Sequence, residues 1–316
     1  MFALRGLAVS LALYLILYGV LSMLVLWGWG LAREAGKRLL ATRLADLLFA
    51  LRGLPVAAAA VVTLAFVVPS FLLLEPRTSA EPVGEIPLAL GACCLLLLGA
   101  GAFNAVAAYV KTSKTVAGWL AGATVLPARD SVPVFRIRPG VPALTLTGVC
   151  VPRVLLSDAA AAVLSPQELA TALQHEMAHA HRRDNLKKLL FRFCAFPGMS
   201  RLEAAWCEAE EMAADDAAVA SVGDALDLAS ALIKLSRLAP VHPAAALTTA
   251  LIHNSPASVN ARVERLVAWN ERRMPRSRRR ALGYPQAALL GTLLGVVATY
   301  GAILRDMHAL TEWLVR

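Results

Sequence analysis

Charge is scarce in this chain. Only 17% of its 316 residues are Asp, Glu, Lys or Arg, and aromatic residues contribute 6%. Soluble domains carry about a quarter of their residues as charges, so an ordinary aqueous globule is a poor description. Cysteine is also sparse: Cys93, Cys94, Cys150, Cys194 and Cys207 form no CxxC pair. That excludes a disulfide framework and a cysteine zinc site, and points to buried, reduced thiols. The net charge is +9, yet no DNA- or RNA-reading motif accompanies the basic residues, so direct nucleic-acid binding is not expected.

What the chain has instead is long apolar runs. Mean hydropathy is +0.61, concentrated in residues 6–32, 53–74, 86–110 and 281–304. Each supplies about the 20 apolar residues that a bilayer crossing needs. The first run is too long for a signal-peptide core and lacks a small-residue cleavage site before Arg33, so it is expected to stay as an anchor. The expected architecture is a mainly α membrane protein: three transmembrane helices within residues 1–110, a polar domain at 111–280, and a fourth helix with a short tail at 281–316.

Loop charges orient these spans. Arg33, Lys37, Arg38, Arg43 and Arg52 lie between spans one and two, whereas Glu75, Glu81 and Glu85 face only Arg77 between spans two and three. Basic residues return at Lys111, Lys114 and 272–280. Loops rich in Lys and Arg stay cytoplasmic, which places the polar domain in the cytoplasm and both termini outside. The run at 272–280 then acts as a topology anchor beside anionic lipid.

The polar domain opens with extended segments: Val134 to Arg138 alternates at period two, followed by 145–151 and 154–156, with breaks at Gly148 and Pro152. They predict a small sheet. Ser165-Pro166-Gln167-Glu168 then gives a helix start, with Ser as N-cap, Pro at the first position and Glu closing a capping box. Leu169, Leu173, Met177 and Ala180 recur at helical spacing, and the helix is expected to run to about Phe193. Further helices are expected over 201–222, 224–238 and from about Ser258.

The first of these helices carries His175-Glu176-Met177-Ala178-His179. Histidines four residues apart project from one helix face, so both imidazoles can bind one tetrahedral zinc. Zinc lowers the pKa of a bound water to about 7, and Glu176 is placed as its general base. A third ligand is available downstream, where Glu208, Glu211 and Asp215 lie along one side of the next helix. Glu211 as the zinc ligand, with Asp215 holding the far nitrogen of a ligand histidine, completes a His2Glu site with an open fourth position. Glu208 and Glu210 compete for that role. His181, His242, His253 and His308 fit no ligand spacing, and Arg262 is expected on a solvated or lipid-facing helix in preference to the other reading, a place near the active site.

These residues resemble a known family. Residues 164–169 and His175-Glu176-Met177-Ala178-His179-Ala180-His181-Arg182-Arg183-Asp184-Asn185-Leu186 are similar to the zinc helix of the BlaR/MecR membrane metallopeptidases, which are gluzincins. Glu211-Met212-Ala213-Ala214-Asp215 is similar to the family's second motif, and 152–157 to the strand before the zinc helix. The resemblance implies three spans before a mostly helical, gluzincin-like cytoplasmic protease domain and one after it, in a bacterial inner membrane. It also implies Zn2+ as cofactor and regulated cleavage, in signal transduction, of a cytoplasmic protein: a transcriptional repressor or the protease itself. Only residues 305–316 follow the last span, so the C-terminal penicillin-binding sensor of the antibiotic receptors is not expected. HtpX-like quality-control peptidases are the nearest alternative, with two spans ahead of the zinc helix. A non-catalytic membrane signalling or scaffold protein is a third reading, against which the intact Glu176 speaks.

Overall fold

The computed structural model describes residues 2–36, 38–76, 83–129, 132–138, 142–194, 196–238, 247–250, 256–271 and 283–315. Lys37, Arg77, Glu81, His242, His253 and the basic run 272–280 lie outside them. The chain is mainly helical with a small mixed sheet, and it forms two compact units. One comprises Met1–Gly28, Gly53–Gly99 and Met274–Arg316; the other comprises Trp29–Arg52 and Ala100–Arg273.

Three helical segments are long and apolar enough to cross a membrane: Phe2–Gly36, Ala41–Leu74 and Glu85–Leu120. They are α1 (Phe2–Gly36), α2 (Ala41–Val62) continued through a π turn into α3 (Val68–Leu74), and α4 (Glu85–Leu120). Leu24, Trp27, Leu73, Leu96 and Phe103 are more than half exposed on them. Isolated apolar side chains on a surface are normal, but arrays of this size call for a non-aqueous partner. The fourth apolar run falls on α11 (Gly283–Val315).

The first unit has its own small core, in which Val9, Leu13 and Val67 are buried and Met307 and Leu314 pack against them. The π turn Thr63–Val67 has a local cause. Pro69 has no N–H to give to the carbonyl four residues back, which belongs to Ala65, and the Val68 N–H reaches instead to Thr63 O. Tyr300 Oη donates to the Ala65 carbonyl at 2.8 Å, so the orphaned acceptor is satisfied from α11.

The second unit is built on a five-stranded sheet of β1 (Thr124–Arg129), β2 (Val132–Ile137), β3 (Leu144–Thr147), β4 (Arg153–Ser157) and β5 (Thr249–Ala250). Its order is β1-β2-β4-β3-β5, and only β2 and β4 run parallel. β1 and β5 are additions to the strands expected from periodicity. Gly148 has φ 90°, and a Cβ there would run into the Val151 carbonyl, so the turn out of β3 requires glycine.

Against this sheet pack α5 (Asp158–Val163), α6 (Pro166–Arg182), α7 (Asp184–Phe193), α8 (Ser200–Ala218), α9 (Val222–Ser236) and α10 (Pro256–Val267). The core joins Leu144, Leu146, Val154 and Leu156 of the strands to Leu173 and Met177 of α6 and to Leu228 and Leu232 of α9. The Ser165–Glu168 capping box and the Pro at the helix start are present. Two helix boundaries differ from expectation. The helix expected to reach Phe193 breaks at Arg183, whose φ of 55° is left-handed. The helix expected to end at Val222 stops at Ala218, because Ser221 and Asp224 form a capping box that starts α9.

Residues 29–52 belong with the second unit through specific contacts. Arg52 Nη2 lies 2.9 Å from Glu203 Oε1 and also donates to the carbonyls of Phe191 and Cys194 at the end of α7. Arg182, the last residue of α6, pairs with Asp46 at 2.9 Å. Among the cysteines, Cys94 and Cys194 are buried, but Cys93 and Cys150 are exposed, contrary to the expectation of uniformly buried thiols.

Candidate metal centre

α6 and α8 bring three of the expected residues to one point. His175 Nε2 and His179 Nε2 are 3.1 Å apart. Glu211 Oε2 lies 3.5 Å from the first and its Oε1 3.8 Å from the second. The three side chains are buried and form a group that could hold a metal ion. One turn of α6 separates the histidines, and the alanines Ala209, Ala213 and Ala214 of α8 are buried, which fits the close approach of the two helices.

The far ring nitrogens meet carboxylates. Asp215 Oδ1 lies 3.0 Å from His175 Nδ1. His179 Nδ1 hydrogen-bonds Asp184 Oδ2 at 2.8 Å. Each imidazole is thus oriented with Nε2 toward the common point, the arrangement in which an outer carboxylate fixes tautomer and ring angle. Asp184 had no assigned role in the sequence reading. It reaches back because Arg183 breaks the helix in a left-handed conformation; had the helix continued, residue 184 would have projected about 140° away from His179. Lys187 Nζ, 2.9 Å from Asp184 Oδ1, holds its other oxygen.

Glu176 is fully buried, and its carboxylate has no side-chain hydrogen-bond partner among the described residues, only the Leu146 backbone beside it. Burial pushes it up to about 7; the Glu211 charge adds to the rise and His175 opposes it. A buried carboxylate with so little support is costly unless something polar or cationic completes it.

Arg262 corrects an expectation. It is 5% exposed, its Nη1 lies 2.8 Å from Glu211 Oε2, and its Nε and Nη2 bond both oxygens of Asp215. The alternating charges of α10 suggested a solvated face, but its partners lie 47 residues away on another helix, beyond the reach of local patterning. Burial would raise Glu211, but Arg262 and the two histidines outweigh it and hold it at about 2. Asp215 is likewise held below the usual range by Arg262 and His175 against burial. Burial alone would lower His175, but Asp215 and Glu211 outweigh it and push it up to about 9. His179 is lowered by burial despite Asp184. The carboxylates of Glu176, Asp184, Glu210, Glu211 and Asp215 thus outnumber the cations Arg262, Lys187 and Lys188 around the two imidazoles.

The competing ligands separate. Glu208 is exposed and takes no part in the buried group. Glu210 is buried and pairs with Lys188 Nζ at 3.0 Å, although with His179 and Asp184 it makes a second group of possible donors. His181 is exposed. A cavity of about 440 Å³ opens beside His179, lined among others by Leu146, Cys150, Pro152, Arg183 and Leu186. Comparison with protein families and with curated proteins finds no match to this chain.

Proposed function

We propose that the chain is an integral-membrane zinc endopeptidase that hydrolyses a peptide bond of a cytoplasmic protein in signal transduction. The observation that carries the reading is the convergence of His175 Nε2, His179 Nε2 and a Glu211 carboxylate beside the buried carboxylate of Glu176, which no side chain among the described residues hydrogen-bonds.

The donor set fits zinc. One donor atom from each of the three residues lies within 4.8 Å of the others, and the two imidazole nitrogens are 3.1 Å apart, close enough to share one ion. Two imidazoles and one carboxylate form the ligand set of hydrolytic rather than structural centres. When bound there, zinc supplies Lewis acidity to the scissile carbonyl and to the attacking water. The chain's own residues do the rest. Glu176, buried and with an affinity for protons near neutrality, takes the proton of the water and returns it to the leaving amine. Asp184 and Asp215 keep the imidazoles in place. Arg262 offsets part of the charge of Glu211 and Asp215 and fixes the carboxylates that face the histidines.

Four spans, with the domain on the cytoplasmic side of a bacterial inner membrane, accord with the loop charges and with the ion pairs of the first unit. Arg5 opens α1, Glu75 ends α3 and Glu312 lies near the end of α11, and all three belong to one network. Those helix ends share a face only if α1 runs opposite to α3 and α11. The resemblance to BlaR/MecR proteases suggests a repressor, or the protease itself, as substrate.

The test is Glu176→Gln in cells. Processing should stop while the purified variant keeps its zinc. Undiminished processing in Glu176→Gln would remove the peptidase reading.

A further inference from the structure

The first unit contains a second cluster of ligating side chains. Glu75, at the end of α3, meets His308 and Glu312 of α11, and one donor atom from each lies within 4.8 Å of the others. Arg5 of α1 joins them: its Nη1 is 2.8 Å from Glu75 Oε1 and its Nη2 is 3.5 Å from Glu312 Oε1. The side chains of Arg5 and Glu75 are 5% and 3% exposed. His308 Nδ1 is buried and has no hydrogen-bond partner among the described residues. The cluster sits at helix ends, and the charges of Arg5 and Glu75 are nonetheless buried within the protein there, where each needs a partner.

We propose that this cluster is a cation site for a divalent transition metal of the zinc class, distinct from the His175 centre. Two carboxylates, which hydrogen-bond each other, and an imidazole crowd around one guanidinium. His308 and Glu312 are four residues apart on a helix and project from one face, the same device that pairs His175 with His179. Glu75 supplies the third donor from another helix. An imidazole with two carboxylates suits zinc or its neighbours better than calcium or magnesium, which favour oxygen alone. Arg5 occupies the position of the cation's charge and is displaced when the metal binds. Because the three donors come from α3 and α11 and Arg5 from α1, metal occupancy changes which helix ends are tied together. The site thereby gives the protein a way to register a metal at the membrane face to which these ends belong.

The test counts metal on the full chain in lipid nanodiscs, stripped with chelator and reloaded with Zn2+ alone. The intact chain should bind two zinc ions, His179→Ala one, and His179→Ala combined with His308→Ala or Glu312→Gln none. Loss of all zinc in His179→Ala overturns this proposal and leaves the peptidase centre standing. One zinc lost with His308→Ala but retained in His179→Ala supports this site and removes the other. Arg5→Gln guards against misfolding as the cause, since it keeps every donor and removes the competing charge. In the His179→Ala background it should tighten zinc binding by about tenfold. If Arg5→Gln only destabilises the chain, without a gain in affinity, the cluster is an ion-pair clasp and the proposal fails.

Discussion

Arg262 and Asp215 form a two-pronged pair within the candidate centre, Nε to Oδ2 at 2.9 Å and Nη2 to Oδ1 at 2.6 Å. Both are buried, at 5% and 0% exposure, and the same guanidinium reaches Glu211. Removing one partner of a buried pair strands the other charge and costs about 3–5 kcal/mol. Arg262→Ala should therefore destabilise the second unit by that order. Arg262→Lys should recover only part of the loss, because an ammonium cannot reproduce the fork. Denaturant unfolding of the purified variants measures both. An Arg262→Ala chain within about 0.5 kcal/mol of wild type would show that the pair contributes little.

The carboxylates behind the histidines predict metal affinity. Asp184 and Asp215 hold the Nδ1 atoms of His179 and His175. Losing such a partner weakens metal binding by about 10–100-fold. Asp184→Asn and Asp215→Asn should each show a loss of that size in chelator competition, with the zinc stoichiometry still reachable at high metal. Unchanged affinity in both would mean that the rings are oriented by packing alone.

Legibility in the sequence followed the range of the interactions. The capped helix start at Ser165 and the pair His175/His179 are local, set by spacing within a few residues, and both could be read directly. Glu211 and Asp215 could be proposed because they lie four apart on one helix. The strand β5 could not, since it is two residues long and exists only by pairing with β3. Asp184 was hidden by the left-handed Arg183, a position where no glycine or asparagine announces a break. Arg262 was hidden because its burial depends on carboxylates of another helix. His308 did carry a signal, the four-residue step to Glu312, but its third partner lies far away in sequence.

Asn185, at the start of α7, ties that helix to the sheet. Its Nδ2 donates to the carbonyls of Leu146 and Gly148 at 3.3 and 3.1 Å, and its Oδ1 accepts from Thr249 Oγ1 at 2.8 Å. All of this happens at 2% exposure. Stranding buried polar groups costs about 1–3 kcal/mol, so Asn185→Ala should lose that much stability. Hydrogen exchange should also speed up first at β3 and β5, the strands it clips. Uniform exchange across the sheet, with no local gain, would assign the residue a global role instead.

Glu168 links stability to pH. Its Oε2 accepts from the Ser165 N–H and from Lys234 Nζ, each at 2.7 Å, and its Oε1 from Ser230 Oγ at 2.5 Å. Burial would raise its pKa, but Lys234, Ser230 and the Ser165 amide outweigh that and hold it at about 2, against an ordinary 4.5. A carboxylate depressed in the folded state stabilises fully above its unfolded pKa and loses that contribution as pH falls toward the folded value. The window is thus between about pH 4.5 and 2. Lys234 is 37% exposed, so solvent screens its share, and the cap and ion pair together are worth about 1–2 kcal/mol. Glu168→Gln should lie below wild type by this amount at neutral pH, with the gap closing as the buffer is taken through that window. A gap that stays constant down to the lower limit would mean that the carboxylate's charge contributes nothing and only its shape matters.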